Sequence, residues 1–141
     1  MGNREKLSQD KGFNCISCGK KVSNLGFFGS SHRNHCPFCG YSKHVDLAKG
    51  DRASKCNGKM EPVGLMYKSH NELCIVHRCL SCGKLNHNRI ASDDKPDMIE
   101  ALLNKPKLLE PETQLILDNS GVKLLDSRDK MSVHIQLYGK P

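Results

Sequence analysis

A small, metal-bound, β-rich fold is what the sequence predicts: two tandem zinc-ribbon-like modules followed by a short helix and an antiparallel β-meander. Three observations predict it. The first is cysteine spacing. Of eight cysteines, six fall in three Cys-x-x-Cys turns, each closed by glycine: CISCG, CPFCG and CLSCG. The second is a lean apolar content, with four Phe, three Tyr and no Trp. A segment of about 90 residues so poor in aromatic mass buries a modest core and calls for an additional staple. The third is the pattern near the C-terminus, where MSVHIQLYG sets Val133, Ile135 and Leu137 against His134, Gln136 and Tyr138, the period of a half-buried strand.

Taken in order, residues 1–12 read as a solvated, flexible tail. Residues 13–95 read as the double zinc-binding domain. Its first unit runs from Phe13 to Gly40, with KVSNLGFFGSSHRN joining two knuckles; its second runs from Cys56 to Arg89 and ends in CLSCG. The two resemble each other in length and in their terminal knuckle, as copies of one small module do. Between them YSKHVDLAKGDRASK is a polar connector. Residues 96–141 then change character. Asp93 or Asp94 caps a short helix, PDMIEALLN, with Met98 and Leu102 on its apolar stripe. QLILD, VKLLD and MSVHIQLYG, separated by the turn-like NSG and SRDK, are expected to form the meander over residues 113–139.

The metal ligands follow from spacing. Cys15, Cys18, Cys36 and Cys39 form C-x2-C-x17-C-x2-C, a four-cysteine zinc pattern. A two-residue gap lets a tight turn present both thiolates to one ion, and the glycine after it accepts the positive φ needed to leave that turn. In the second unit Cys56, Cys79 and Cys82 are clear ligands. The fourth is open among Cys74, His77, His44, His70 and His87. On a strand feeding the CLSC knuckle, His77 shares a face with Cys79 while Cys74 points the other way; His77 is therefore the expected ligand and His44 its strongest rival. Two Zn2+ ions are expected. A hydrolytic zinc with an open fourth position would need Glu61 or Glu72 as base, and neither has a spacing that compels the role.

Charge separates along the chain. Residues 1–90 hold 15 Lys and Arg against 6 Asp and Glu; residues 91–141 hold 7 against 9. Positive charge and metal ligands thus share one segment, a combination that points to a polyanion. The expected contacts are Arg33, Lys43, Arg52, Arg78 and Arg89, with Lys20, Lys21, Lys55 and Lys84 near the knuckles and Phe27-Phe28 available for stacking. No 18-residue apolar run marks a membrane span, and the polar start lacks a secretory core or myristoylation signal. A reducing, cytoplasmic setting is expected, in which paired cysteines favour metal over disulfides.

RNHCPFCGYSKHVD, GDRASKCNGKMEPVG, IVHRCLSCGKLNHNRIASDD and the preceding FNCISCG resemble, in that order, the motifs of the RNHCP-domain family of small prokaryotic zinc-ribbon-like proteins. The resemblance covers roughly residues 13–103. It implies signature roles for Arg33, Asn34, His35, Cys36, Pro37, His44, Asp46, Arg52, Cys56, His77, Cys79, Cys82, Asn88 and Arg89, and it brings no reaction with it. The function expected is that of a non-enzymatic zinc protein contacting nucleic acid, RNA or the ribosome, with no small-molecule substrate. Two alternatives stand beside it. One is a metal-dependent nuclease with His35 as base and His44 and Asp46 as ligands; the other is an adaptor docking a protein partner through residues 113–139.

Overall fold

The computed structural model describes residues 13–22, 35–44 and 55–139. Two strands open the first unit, β1 (Phe13–Asn14) and β2 (Lys21–Val22), paired antiparallel on either side of the first knuckle. A third, β3 (Ser42–Lys43), leaves the second knuckle and joins a larger sheet with β4 (Lys59–Lys68), β5 (Glu72–Cys79) and β6 (Leu85–Arg89), in the order β3-β4-β5-β6, every pairing antiparallel. The segment leaving the first unit is therefore an edge strand of the sheet that carries the second.

β5 is the centre of the fold. Leu73, Cys74, Ile75, Val76 and His77 are all buried, the run of a strand covered on both faces. On one face Leu65, Leu73 and Ile75 pack with Ile99, Leu102, Leu103 and Val133. On the other, Val63 and Val76 pack with Leu117, against Met66, Leu85, Leu109, Val122 and Leu124. A β-bulge between Pro62 and Gly64 adjusts the register of β4, and Gly64 leaves room for Leu124, whose side chain would lie 2.8 Å from a Cβ there. Cys74 looks into the core, as its place on the strand predicts.

The short helix forms as expected: α1 (Pro96–Ala101) continues as a 3-10 turn over Leu102–Leu108. Asp94 does not cap it. Lys95 stands at the N-cap and Pro96 opens the first turn, while the Asp94 carboxylate is turned inward. The expected meander is a correction: residues 113–139 contain helices, α2 (Pro111–Asn119) and α3 (Lys130–Tyr138). Pro111 opens α2, a position where its missing N–H costs nothing. Thr113 and Leu117, four apart, turn inward. Before α3, Asp126 and Asp129 form a capping box: the Asp126 N–H donates to Asp129 Oδ2 at 3.0 Å, and Asp126 Oδ1 accepts the Arg128 N–H at 2.9 Å. Gly139, at φ 77°, closes the helix behind them. Both helices pack onto the sheet through Leu117 and Val133.

Candidate metal centres

Three knuckles share one backbone geometry. The Cys15, Cys36 and Cys79 N–H groups donate to the carbonyls of Lys20, Tyr41 and Lys84 at 2.8, 2.9 and 2.9 Å. The Gly19, Gly40 and Gly83 N–H groups donate back to the same cysteines' carbonyls at 2.9 Å each. All three glycines hold φ between 78° and 80°, where a side chain would be strained. Each turn also aims N–H groups at its leading sulfur: Ser17 and Cys18 donate to Cys15 Sγ at 3.3 and 3.4 Å, and Phe38 donates to Cys36 Sγ at 3.4 Å.

The first and second knuckles bring Cys15, Cys18, Cys36 and Cys39 together, with every ligand atom within 4.8 Å of the others. Cys15 and Cys39 sulfurs are 3.5 Å apart, and Cys18 and Cys36 sulfurs 3.7 Å. A disulfide would need about 2.05 Å. Four sulfurs each about 2.3 Å from a tetrahedral zinc stand about 3.8 Å from one another, so the cluster has the edge lengths of a zinc site. The expected four-cysteine set is the observed one.

The second group is His44, Cys56, Cys79 and Cys82. Cys56 and Cys79 sulfurs are 3.6 Å apart, and Cys82 Sγ lies 3.4 Å from His44 Nδ1, again near tetrahedral edges. His44 follows β3, where its N–H donates to the Gly58 carbonyl (2.8 Å) and its own carbonyl accepts from Asn57 N–H (3.0 Å). That clamp sets the imidazole beside Cys56. Gly58 is obligatory on steric grounds, since a Cβ there would lie 2.6 Å from Ser81 Oγ and 2.8 Å from Cys79 Sγ.

His77, the ligand expected from strand alternation, is not in the group. Residues two apart on one strand face are separated by about 6.6 Å, and the site lies beyond the end of β5, so His77 points back under the first unit. There its Nε2–H donates to the Gly40 carbonyl at 2.7 Å, and Asn88 Nδ2 lies 3.4 Å from Nδ1. Burial pushes its pKa down to about 3, so the ring is neutral, as its place between a carbonyl and an amide requires.

Charge explains why each cluster suits a dication. Burial resists ionisation of Cys15, but the Cys18 and Ser17 N–H groups outweigh it and bring the thiol down to about 7. Burial and the neighbouring cysteines push Cys36 and Cys39 up. In the second group burial is likewise outweighed at Cys79, by the Cys82 and Ser81 N–H groups and by His44, and the thiol falls to about 6. There Cys56 is pushed up, against the Gly58 N–H, by the Cys79 and Cys82 side chains. Adjacent thiolates repel; an ion of charge two removes the conflict, and structural zinc supplies rigid coordination and folding energy. Two zinc ions fit the two groups.

His35 is 2% exposed and meets the Asp94 carboxylate at 2.8 and 3.0 Å through Nε2, while Asp94 Oδ2 accepts the Ala91 N–H at 2.7 Å. This buried pair was not foreseen from RNHCP and ASDD, which stand 59 residues apart. Among the expected nucleic-acid contacts, Lys43 is exposed. Arg78, 16% exposed, reaches Glu112 at 3.3 Å and donates to Thr113 Oγ1 at 3.2 Å, fastening α2 to the sheet. Arg89 faces Glu72 at 3.9 Å. Arg33, Asp46, Arg52 and Phe27-Phe28 lie outside the described residues. Among the described residues no helix is long and apolar enough to cross a membrane.

A family model described as the RNHCP domain matches residues 10–100, a span that takes in both metal groups. No curated protein and no solved structure matches the chain.

Proposed function

The chain belongs to the RNHCP-domain family, and from that premise we propose that it is a non-enzymatic, cytoplasmic zinc-binding protein that contacts nucleic acid, with RNA or the ribosome as its target. One observation carries the reading. The two described segments that build the first metal group, 13–22 and 35–44, hold Lys20, Lys21 and Lys43, all exposed, and no carboxylate. Lys55 and Lys84 add exposed positive charge beside the second group. Zinc-fixed turns carrying exposed lysines suit phosphate contact, which fixes position without reading sequence.

The non-enzymatic part rests on how the candidate catalytic groups are engaged. Four ligands around the second centre complete a tetrahedron, whereas a hydrolytic zinc keeps one position open. His35, the base a nuclease would need, is buried against Asp94, and His44 lies in the metal group. A second reading is favoured by α3, where Met131, Ile135 and Tyr138 are exposed along one side of the helix; such a stripe suits a protein partner.

Sedimentation of a cell extract tests the proposal. Co-migration with ribosomal subunits, or with RNA that ribonuclease releases, supports it. A protein that stays wholly at the top of the gradient and carries no RNA overturns it. Partners that survive nuclease treatment would support the adaptor reading in its place.

A further inference from the structure

We propose that Phe38 is a stacking platform for one unpaired nucleobase, with Lys20 and Lys95 taking the adjoining phosphates. The inference rests on the nucleic-acid reading and deepens it, by naming where a single strand sits and what holds it. Phe38 stands at the tip of the CPFC knuckle and is 38% exposed. An aromatic ring on a polar metal turn leaves apolar area in water, and its π face is the surface on which any base can stack. The apolar tip residues of the other two knuckles, Ile16 and Leu80, are also exposed, but they are aliphatic and offer no such face.

Two ammonium groups lie over this ring. Lys20 Nζ is 4.6 Å and Lys95 Nζ 5.6 Å from its centroid. They come from different parts of the chain, and each is pinned. Lys20 accepts the Cys15 N–H through its carbonyl at 2.8 Å, within the first knuckle. The Lys95 N–H donates to the Pro37 carbonyl at 2.9 Å, and its neighbour Asp94 is anchored by His35 and Ala91. Phe38 itself is tied to Cys36 Sγ. The ring and the two lysine backbones are thus set in place before any ligand arrives, which lowers the ordering cost of binding. The ammonium groups remain on flexible stems, so one can swing off the ring face to a phosphate as a base takes its place there. Tyr41 also has a lysine nearby, Lys59 at 5.7 Å, but Tyr41 packs against Cys15 and Val22.

A base already stacked in a duplex cannot use the platform, so the ligand class is single-stranded nucleic acid. The test uses the full chain loaded with zinc and labelled oligouridylate, oligodeoxythymidylate and a duplex of equal length, followed by fluorescence anisotropy. F38A should bind single strands about 5- to 140-fold more weakly, the range for one base–aromatic stack, while F38Y retains affinity and both keep two zinc ions. K20A/K95A should flatten the dependence of log K on log salt by about 1.4, at about 0.7 per single-strand phosphate. The chain contains no Trp, so F38W supplies a single fluorophore that a stacked base should quench. The oligouridylate and oligodeoxythymidylate arms separate RNA from DNA as the source of the base. A parent protein that binds single strands equally well with or without Phe38, or prefers the duplex, overturns the stacking inference alone. A parent that binds no nucleic acid overturns the proposed function as well.

Discussion

Replacing Asp94 with alanine should cost about 3–5 kcal/mol of folding stability. The carboxylate is buried, and it is the acceptor for two buried donors: His35 Nε2 at 2.8 Å and the Ala91 N–H at 2.7 Å. Each orphaned donor costs about 1–3 kcal/mol, so the two together centre on about 4 kcal/mol. D94N keeps one acceptor oxygen and should lose about half as much. Guanidinium unfolding of the zinc-loaded protein gives the difference from the midpoint and slope. H35A removes the same contact from its other side and leaves the Ala91 N–H on the carboxylate. In a double-mutant cycle H35A/D94A should therefore be less destabilised than the sum of the single variants. A D94A protein within about 0.5 kcal/mol of the parent, inside the usual spread for surface changes, would refute the idea that this contact ties the CPFC knuckle to the segment before α1.

Zinc counting separates the two histidines of the second unit: H44A should hold one zinc per chain. H77A should hold two and lose about 1–3 kcal/mol, because the Gly40 carbonyl is left without a donor; one zinc in H77A would reverse the ligand assignment. G58A should weaken the second centre selectively, since its new Cβ meets Cys79 Sγ at 2.8 Å and Ser81 Oγ at 2.6 Å, and competition with a chromophoric chelator reads this as loss of one zinc at lower chelator. Stripping both ions from the parent should abolish the β signal of residues 13–89, since structural zinc supplies about 10–16 kcal/mol in small domains; a circular-dichroism melt unchanged by strong chelation would contradict this.

Local chemistry was legible in the sequence, and long-range geometry was not. The three knuckles could be read because cysteine spacing and the following glycine encode one turn, and that turn recurs at Cys15, Cys36 and Cys79. The fourth ligand of the second centre depends on where β3 crosses the 56–58 loop, a contact between segments that no periodicity reports. Alternation assigned His77 to the correct face of β5 but carries no information on which end of the strand the metal occupies. The C-terminal error has a different origin. In MSVHIQLYG the inward residues Val133 and Leu137 are four apart, so they satisfy a helix, and Ile135 between them makes the same run look like a strand. The signals that decide the matter stood outside the run, in Asp126 with Asp129 before it and Gly139 after it. Arg78 sits beside a knuckle, and its partner Glu112 belongs to α2, a contact between distant segments that the strand reading does not contain.

The two metal centres are not independent modules, and the reason is a strand too short to absorb a disturbance. Cys39 ligates the first group and His44, five residues on, belongs to the second. Fully extended, that segment spans about 17 Å, and its ends are pinned by Gly40 N–H to Cys36 and by His44 N–H to Gly58. The two residues of β3 pair with Met60 and Lys59, which lead from Gly58 into the core strand. Loss of the first ion would release Cys39 and with it the direction in which β3 delivers His44; loss of the second would free His44 and unpin the edge of the sheet beside Gly40. Such coupling is reciprocal in free energy. It also reaches the surface, because the CPFC knuckle that starts β3 is the one that holds Phe38 against Lys20 and Lys95. Metal occupancy at either centre therefore sets the geometry of the proposed binding face.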